Sequence, residues 1–555
     1  MTGAERTWDV LTKLGVDVIF GVPGGAILPL VDAMVAQQGD LRFVVTRHES
    51  AAVHAADGYA RVSGKPGVVL ATSGPGGTNV ITGLATAMAD SVPLVLVLGQ
   101  VASGLIGTDA FQEADLFGMT MPVVKHSWRI RHAGEIGPVL TEAYRIAQFG
   151  RPGPVVIEFP KDTQMQEVDN EPASFPEPPA PVLRPQPLAW ARARAYLARS
   201  RRPIFYIGGG VVISGTAPTV KRLAERYQAP VTTTLMGLGA FPSSHPLSIG
   251  MLGMHGTWTA NHAMQQADLI IALGVRFDDR VTGRLDSFAP HARIIHVEVD
   301  PSEINKIVAS DAALVGDLAQ ILPQLERHLP EAAQHDEWLA QLARWQAEHP
   351  VRVPESPAGA VAAPRALQIL RSVIRPEDIV VTEVGQHQMW TALFIPRDHP
   401  RTFVTSGGVG TMGHGFPAAM GAQVGRPDVR VYLIAGDGSF QMNLQELATL
   451  VQYQIPIRII VLNNQGHGMV RQWQDLFHGG RRYGVKLLNP DFVKLAQAYG
   501  MNGFTVNSEG ALAEALTVLA DQPGPVLLEV VVPEDEHVYP MVPAGRSLSE
   551  VIEGA

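Results

Sequence analysis

The sequence predicts an α/β protein of three doubly wound parallel-sheet domains. Short runs of apolar, β-branched residues alternate with helical patterns, as in parallel strands joined by crossover helices. Two stretches poor in core-forming residues split that alternation into three blocks. At 555 residues, 46% hydrophobic and 17% charged, the chain exceeds one ordinary core and suffices for several.

The first block, residues 1–165, has strand candidates at Val68–Ala71, Leu94–Leu98 and Val155–Phe159 and a helical pattern over Asn79–Met88. The segment EPASFPEPPAPVLRPQP, which can bury little, follows as a linker. The second block, 188–330, opens with Pro203–Ile207 and contains Leu269–Leu273 and Ile294–Val299. A polar stretch ends in VRVPESPAGAVAAP, and the third block, 365–535, carries Ile379–Thr382, Val431–Ala435 and Ile457–Leu462. Residues 536–555 form a tail, a candidate lid. The first and third blocks look alike in style, although one sequence demonstrates no repeat between them.

Composition excludes several functions. The net charge is -10 and no Lys/Arg run stands out, so small molecules are expected as partners, not nucleic acid or a membrane. With no cysteine, there is no disulfide, thiolate nucleophile or Cys-based metal site, and any metal must be held by oxygen or nitrogen. The opening MTGAERTWDVLTKLG lacks a basic segment followed by an apolar core, and no apolar run reaches membrane-spanning length. A cytoplasmic protein is expected.

The most informative arrangement is VYLIAGDGSF, then NLQELATLVQYQ, then IPIRIIVLNN, one strand-helix-strand unit. Its right-handed crossover makes the strands parallel, so Asp437 and Asn464 emerge together at their carboxyl ends. Carboxylate plus amide oxygen suits Mg2+ or Ca2+, and Mg2+ commonly completes its shell with phosphate oxygens. Gly436 and Gly438 permit close backbone approach, and a following helix N-terminus favours an anion. A strand-to-helix turn with a capping residue explains GDGS alone about as well. Likewise, Glu49, at the start of the helical run after RFVV, either closes a capping box with Thr46 or serves chemistry.

Taken with the closing NN, the GDG segment resembles the signature of thiamine-diphosphate enzymes. The resemblance implies Asp437, Asn464 and the Gly466 carbonyl as metal ligands, with Gly436, Gly438 and Ser439 beside the diphosphate. RHESAAVHAADGYAR is similar to the family's proton-relay motif, which implies that Glu49 hydrogen-bonds the aminopyrimidine and promotes deprotonation of thiazolium C2. In that family the two cofactor-binding domains come from different subunits, implying a homodimer or homotetramer.

Across nearly the whole chain, GVPGGAILPL, GTDAFQE, KHSW, LGVRFDDRVTG, EVGQHQMW, SGGVGTMGHGFPAA and GMVRQWQ resemble acetohydroxyacid synthase catalytic subunits. The resemblance implies condensation of pyruvate with pyruvate or 2-ketobutyrate with loss of CO2, the first common step of branched-chain amino acid biosynthesis. It assigns Gln386 and His387 to the diphosphate, Met412 to support of the bent cofactor, and Phe111 and Gln112 to the reaction centre. Arg280 would take the second ketoacid's carboxylate, which suits its planar fork, and Trp473 would shape the acceptor pocket. Met469 is implied in cofactor binding, although Met469 and Trp473 also fit a packed helical stripe. Arg276, Asp279 and Arg280 fit a surface ion-pair cluster too.

The middle block lacks a clean GxGxxG, and turn glycines explain IGGG, GMLGMHG and ALGVRFDDR equally well. The family resemblance nevertheless implies a non-redox FAD held by Arg151, the span of His255 to Arg276, and the region of Glu298 to Asp317. It also implies a separate small regulatory subunit. His414, Phe416 and the SAAV after Glu49 differ from common family forms.

Overall fold

The computed structural model describes residues 1–37, 41–169, 185–330 and 335–554. Most of the proline-rich linker lies outside them. The described strands form three six-stranded sheets, and every ladder between named strands is parallel.

The first sheet holds Val18–Gly21 (β1), Arg42–Val45 (β2), Gly67–Ala71 (β3), Leu94–Gln100 (β4), His126–Arg129 (β5) and Pro154–Pro160 (β6), in the order β2-β1-β3-β4-β6-β5. The second holds Pro203–Ile207 (β7), Val231–Thr233 (β8), Ser248–Met251 (β9), Leu269–Leu273 (β10), Arg293–Glu298 (β11) and Ala312–Val315 (β12), in the order β12-β11-β10-β7-β8-β9. The third holds Ile379–Thr382 (β13), Phe403–Val404 (β14), Val431–Gly436 (β15), Arg458–Asn463 (β16), Asn502–Val506 (β17) and Val526–Val531 (β18), in the order β14-β13-β15-β16-β18-β17. Renumbered from its own first strand, the third sheet repeats the order of the first. The likeness between the outer blocks is therefore topological, carried by strand order.

Helices cover both faces, so central strands such as β4, β10 and β15 are buried along their whole length and read as continuous apolar runs. Strand order reverses between β1 and β3, β7 and β10, and β13 and β15, which opens a crevice at the carboxyl ends of each sheet.

Past residue 330, the helix Asp336–Glu348 adds Trp338 and Leu342 to the middle core. The tail is a strap. Val538 packs in the third core, Val542 and Leu548 in the middle one, and the Val542 amide donates to the Met254 carbonyl at 2.7 Å.

Within the chain, the helix Glu49–Ser63 of the first domain packs on Gly415–Gly425 of the third. A Cβ at Gly58 would lie 2.0 Å from the Ala418 carbonyl oxygen, and one at Gly421 would lie 1.7 Å from that of Ala55. Glycine is required at both crossings because the backbones nearly touch. Among the described residues no helix is long and apolar enough to cross a membrane.

Candidate active site

As the crossover predicts, β15 and β16 are paired neighbours, with Gly436 opposite Leu462. Asp437 follows β15 directly and Asn464 follows β16. Asn464 Oδ1 lies 2.9 Å from the Gly466 carbonyl oxygen and 3.2 Å from Asp437 Oδ1. Three acceptor oxygens facing one another repel unless a cation sits among them. Ligands at right angles around Mg2+, each about 2.1 Å from it, are about 3 Å apart, so each of these two spacings fits adjacent positions of an octahedron. Rotating the amide would put Nδ2 toward those oxygens and Oδ1 within 3.2 Å of Arg471 Nη2, but it would also set Oδ1 against Gln386 Oε1 at 3.0 Å, where Nδ2 now donates. A Cβ on Gly466 would meet the Val485 carbonyl oxygen at 2.3 Å, so glycine is needed to bring that carbonyl into the set.

Asp437 is buried, and burial pushes its carboxyl above the usual range despite the bond from Asn489 Nδ2 at 2.6 Å. Such a carboxylate gains most from a dication. Gly436 precedes the short helix Asp437–Phe440, and no side-chain capping bond forms there, so the GDGS turn is not a capping motif. Ser439 is buried with its hydroxyl on the Gly436 carbonyl at 3.4 Å, and a Cβ on Gly438 would strike the His467 ring.

His387, in the helix Gln386–Phe394 at the β13 end of the same crevice, packs its ring against Gly436. Burial pushes its pKa down to about 3, so the ring is neutral. Its Nε2 is buried without a partner, an expense a native fold accepts where a ligand is to be met. Gln386 is already engaged, taking Asn464 Nδ2 and donating to Gln472 Oε1 at 3.0 Å and to the Glu536 carbonyl at 2.8 Å. It links the oxygen site to the tail. Met412, half-buried, sits in the loop leading to Gly415–Gly425.

Glu49 is the first residue of its helix. The cap is His48, whose Nδ1 accepts from the Ser50 amide. Thr46 instead donates to the His48 carbonyl at 3.0 Å, so the capping-box alternative is not realised. Glu49 Oε2 accepts from Asn79 Nδ2 at 2.9 Å, and a Cβ on Gly76 would come within 3.3 Å of Oε1. Gly74, two residues earlier, packs against Gln112, which has a positive φ. Phe111 beside it is 89% exposed. The first domain thus gathers Glu49, Phe111 and Gln112 at one edge, with Phe111 in solvent.

A cleft of about 770 Å³ opens where β7 and β10 diverge and runs on to Gly385 and Gly410 of the third domain, and Arg151, His255, Arg276, Glu298, Asp317, Arg280, Met469 and Trp473 all line it. Gly208, Gly210 and Gly274 let the strand-end turns meet there, where a Cβ on Gly210 would lie 2.7 Å from Gly274 Cα. Several of these side chains also have structural partners. Arg151 bonds Glu303 at 2.8 Å, Asp317 caps Leu318–Arg327, and His255 Nδ1 lies 3.2 Å from the Pro540 carbonyl oxygen. Glu298 takes the Val299 and Asp300 amides on one oxygen, and burial still pushes it up to about 7. Arg280 is more than half exposed and pairs only loosely with Asp279, at 3.6 Å. Its guanidinium is available to an anion, and the surface-cluster alternative accounts for little of it. Met469 packs partly on the third core while also facing the cleft.

Asn489, Arg471 and Asn79 were not singled out from sequence. Arg471 is buried with both terminal nitrogens about 3.5 Å from the Asn464 carbonyl oxygen. Arg471 lies within GMVRQWQ and Asn79 opens the helical pattern Asn79–Met88, so only Asn489 carries no sequence signal.

Family models match the chain to the thiamine pyrophosphate enzymes, domain by domain. The N-terminal TPP binding domain matches residues 1–119, the central domain 190–325 and the C-terminal TPP binding domain 383–530. The chain is 46% identical to the acetolactate synthase large subunit of Parasynechococcus marenigrum, over all of this chain and 91% of that protein. It is 46% identical to the isozyme 2 large subunit of Escherichia coli over the whole of both, and 45% identical to a probable large subunit of Methanocaldococcus jannaschii over 100% and 95%. The chain belongs to the acetolactate synthase large-subunit family.

Proposed function

We propose that this acetolactate synthase condenses pyruvate with a second 2-ketoacid, pyruvate or 2-ketobutyrate, using thiamine diphosphate and Mg2+. FAD acts as a structural ligand of the middle cleft. The observation that carries the reading is the convergence of the Asp437, Asn464 and Gly466 oxygens beside the unpartnered His387 Nε2.

Asp437, Asn464 and the Gly466 carbonyl would hold the metal, leaving its remaining positions to diphosphate oxygens and water. The diphosphate's negative charge would favour protonation of His387, whose Nε2 would then donate to it. When bound, thiamine diphosphate supplies a nucleophilic C2 and accepts the electrons freed as CO2 leaves pyruvate. Glu49, held by Asn79, would exchange a proton with the aminopyrimidine. Arg280 orients the acceptor carboxylate, and Trp473 and Met469 form an apolar wall that keeps out water, which would otherwise divert the product to an aldehyde.

The exposed Phe111 and the Glu49 edge support a site completed by a second copy. Exposed Tyr483 and Leu488 beyond the oxygen site offer apolar surface for the same contact. Homologues named "large subunit" support a separate small subunit as a further partner.

The test is product analysis from pyruvate with purified protein, omitting thiamine diphosphate, Mg2+ or FAD in turn and including Glu49→Ala. Acetolactate that needs the first two and falls sharply in the variant supports the reading. Acetaldehyde or acetyl phosphate as the sole product would overturn it.

A further inference from the structure

The segment that carries Met412 is tied at both ends to one buried charge cluster of the first domain. At its start, Asp90 accepts from the Gly407 and Gly408 amides, at 3.2 and 2.6 Å. At its end, His414 Nε2 meets Asp57 Oδ1 at 3.0 Å, both side chains almost wholly buried. Arg61 joins the two acids, 2.6 Å from Asp57 and 2.8 Å from Asp90. Between these anchors Thr411 Oγ1 touches Thr86 Oγ1 at 2.7 Å.

His414 is an expensive choice for packing alone. Its Nδ1 is buried without a partner, and so is that of His54, whose ring lies edge-on at 5.1 Å. An apolar side chain would avoid that cost, and Asp57 would keep Arg61 as its partner. What His414 adds is a directional link from the loop to the helix Glu49–Ser63, which begins with the relay glutamate. Burial raises the Asp57 carboxyl, but Arg61 and His414 outweigh it and hold it below the ordinary carboxylate range. The acceptor stays charged, and the bond is charge-assisted.

We infer that His414 and Asp57 are positioning residues for the reaction: their bond sets the Met412 loop against the helix that carries Glu49. Neither touches the reacting atoms. The inference rests on the thiamine diphosphate reading above.

The experiment compares wild type with His414→Phe, His414→Gln and Asp57→Asn in the full-length enzyme loaded with thiamine diphosphate and Mg2+. It measures kcat and KM for pyruvate, cofactor affinity, the rate of deuterium exchange at cofactor C2, and unfolding midpoints. His414→Phe should lower kcat and the exchange rate roughly tenfold, with KM for pyruvate changed less than about twofold. Glutamine, which places a donor near Nε2, should restore both to within about threefold even if it melts at the same temperature as the Phe variant. Asp57→Asn should follow His414→Phe. Equal losses in the Phe and Gln variants, or loss of stability without loss of exchange rate, would overturn the positioning role. A wild type that neither binds the cofactor nor turns over would instead overturn the reading beneath it.

Discussion

Replacing His387 with Leu separates a ligand-binding histidine from a packing one, because the two roles predict opposite changes. In the free protein the neutral ring keeps a backbone hydrogen bond with Glu383 but buries Nε2 without a partner. Leucine forfeits that bond and leaves the Glu383 carbonyl unpaired, about 1–3 kcal/mol, which offsets the relief of the unsatisfied Nε2, also about 1–3 kcal/mol. The volumes are similar, so free-protein stability should stay within about 1 kcal/mol of wild type. With cofactor, the wild-type ring is protonated beside the diphosphate and gains a bond from Nε2 to a charged oxygen, about 1.5–3 kcal/mol net of that protonation, and the variant cannot. Thiamine diphosphate affinity should therefore drop by roughly 10- to 150-fold, and the cofactor-induced rise in unfolding midpoint should shrink accordingly. The assay is thermal unfolding with and without saturating thiamine diphosphate and Mg2+, paired with direct titration. A dissociation constant changed less than twofold, or a free variant destabilised by about 3 kcal/mol or more, would refute the assignment and leave His387 a core residue.

Chains carrying Glu49→Ala and Asp437→Ala, each inactive alone, should recover about a quarter of wild-type activity when unfolded and reassembled together, since each mixed dimer regains one intact shared site. A site contained in one chain predicts none. Asn464→Leu should weaken Mg2+ binding at least tenfold, read by cofactor titration against metal concentration, because one of three converging oxygens is lost. Burial raises the Glu298 pKa to about 7, so the protonated form stabilises the cofactor-free fold fully below its ordinary value, and that contribution is lost as pH rises through about 7. Glu298→Gln should flatten stability against pH between about 4.5 and 7 and leave the free protein no less stable at pH 8, which denaturant titration checks. Gly421→Val should cost several kcal/mol in urea unfolding, because its Cβ would sit 1.7 Å from the Ala55 carbonyl oxygen.

Central strands were legible because burial on both faces leaves no alternation to decipher, and LIIAL reads the same in sequence as in β10. Most edge strands were not, RFVV at β2 being the exception. The four residues of β5, HSWR, and the two of β14 take their conformation from a neighbour's ladder, with no local propensity to announce them. Asp437 and Asn464 were legible because one crossover fixes where both strands end. Asn489 reaches Asp437 from 52 residues away, so neither spacing nor composition marks it, while Arg471 lies in GMVRQWQ but shows its link to Asn464 only once its helix is packed. The middle cleft escaped fingerprint reading for a related reason. Its close backbone approaches come from Gly208, Gly210 and Gly274 on two strands, whereas GxGxxG concentrates them in one turn.

The repeated strand order explains why one helix serves two purposes. In each outer domain the first crevice lies between the first and third strands, so the helices beside it, Glu49–Ser63 and Gly415–Gly425, occupy comparable places and cross at Gly58 and Gly421. In the proposed dimer, Glu49 at the start of the first helix faces the cofactor held by the partner. Asp57, about two turns on, bonds His414 of the Met412 loop, which would support the cofactor of its own chain. A displacement of that helix is felt at both sites, because backbones in contact leave no slack to absorb it. That rigidity suits a reaction whose second substrate must arrive while the first is still covalently held, since both sides of the pocket then move as one body.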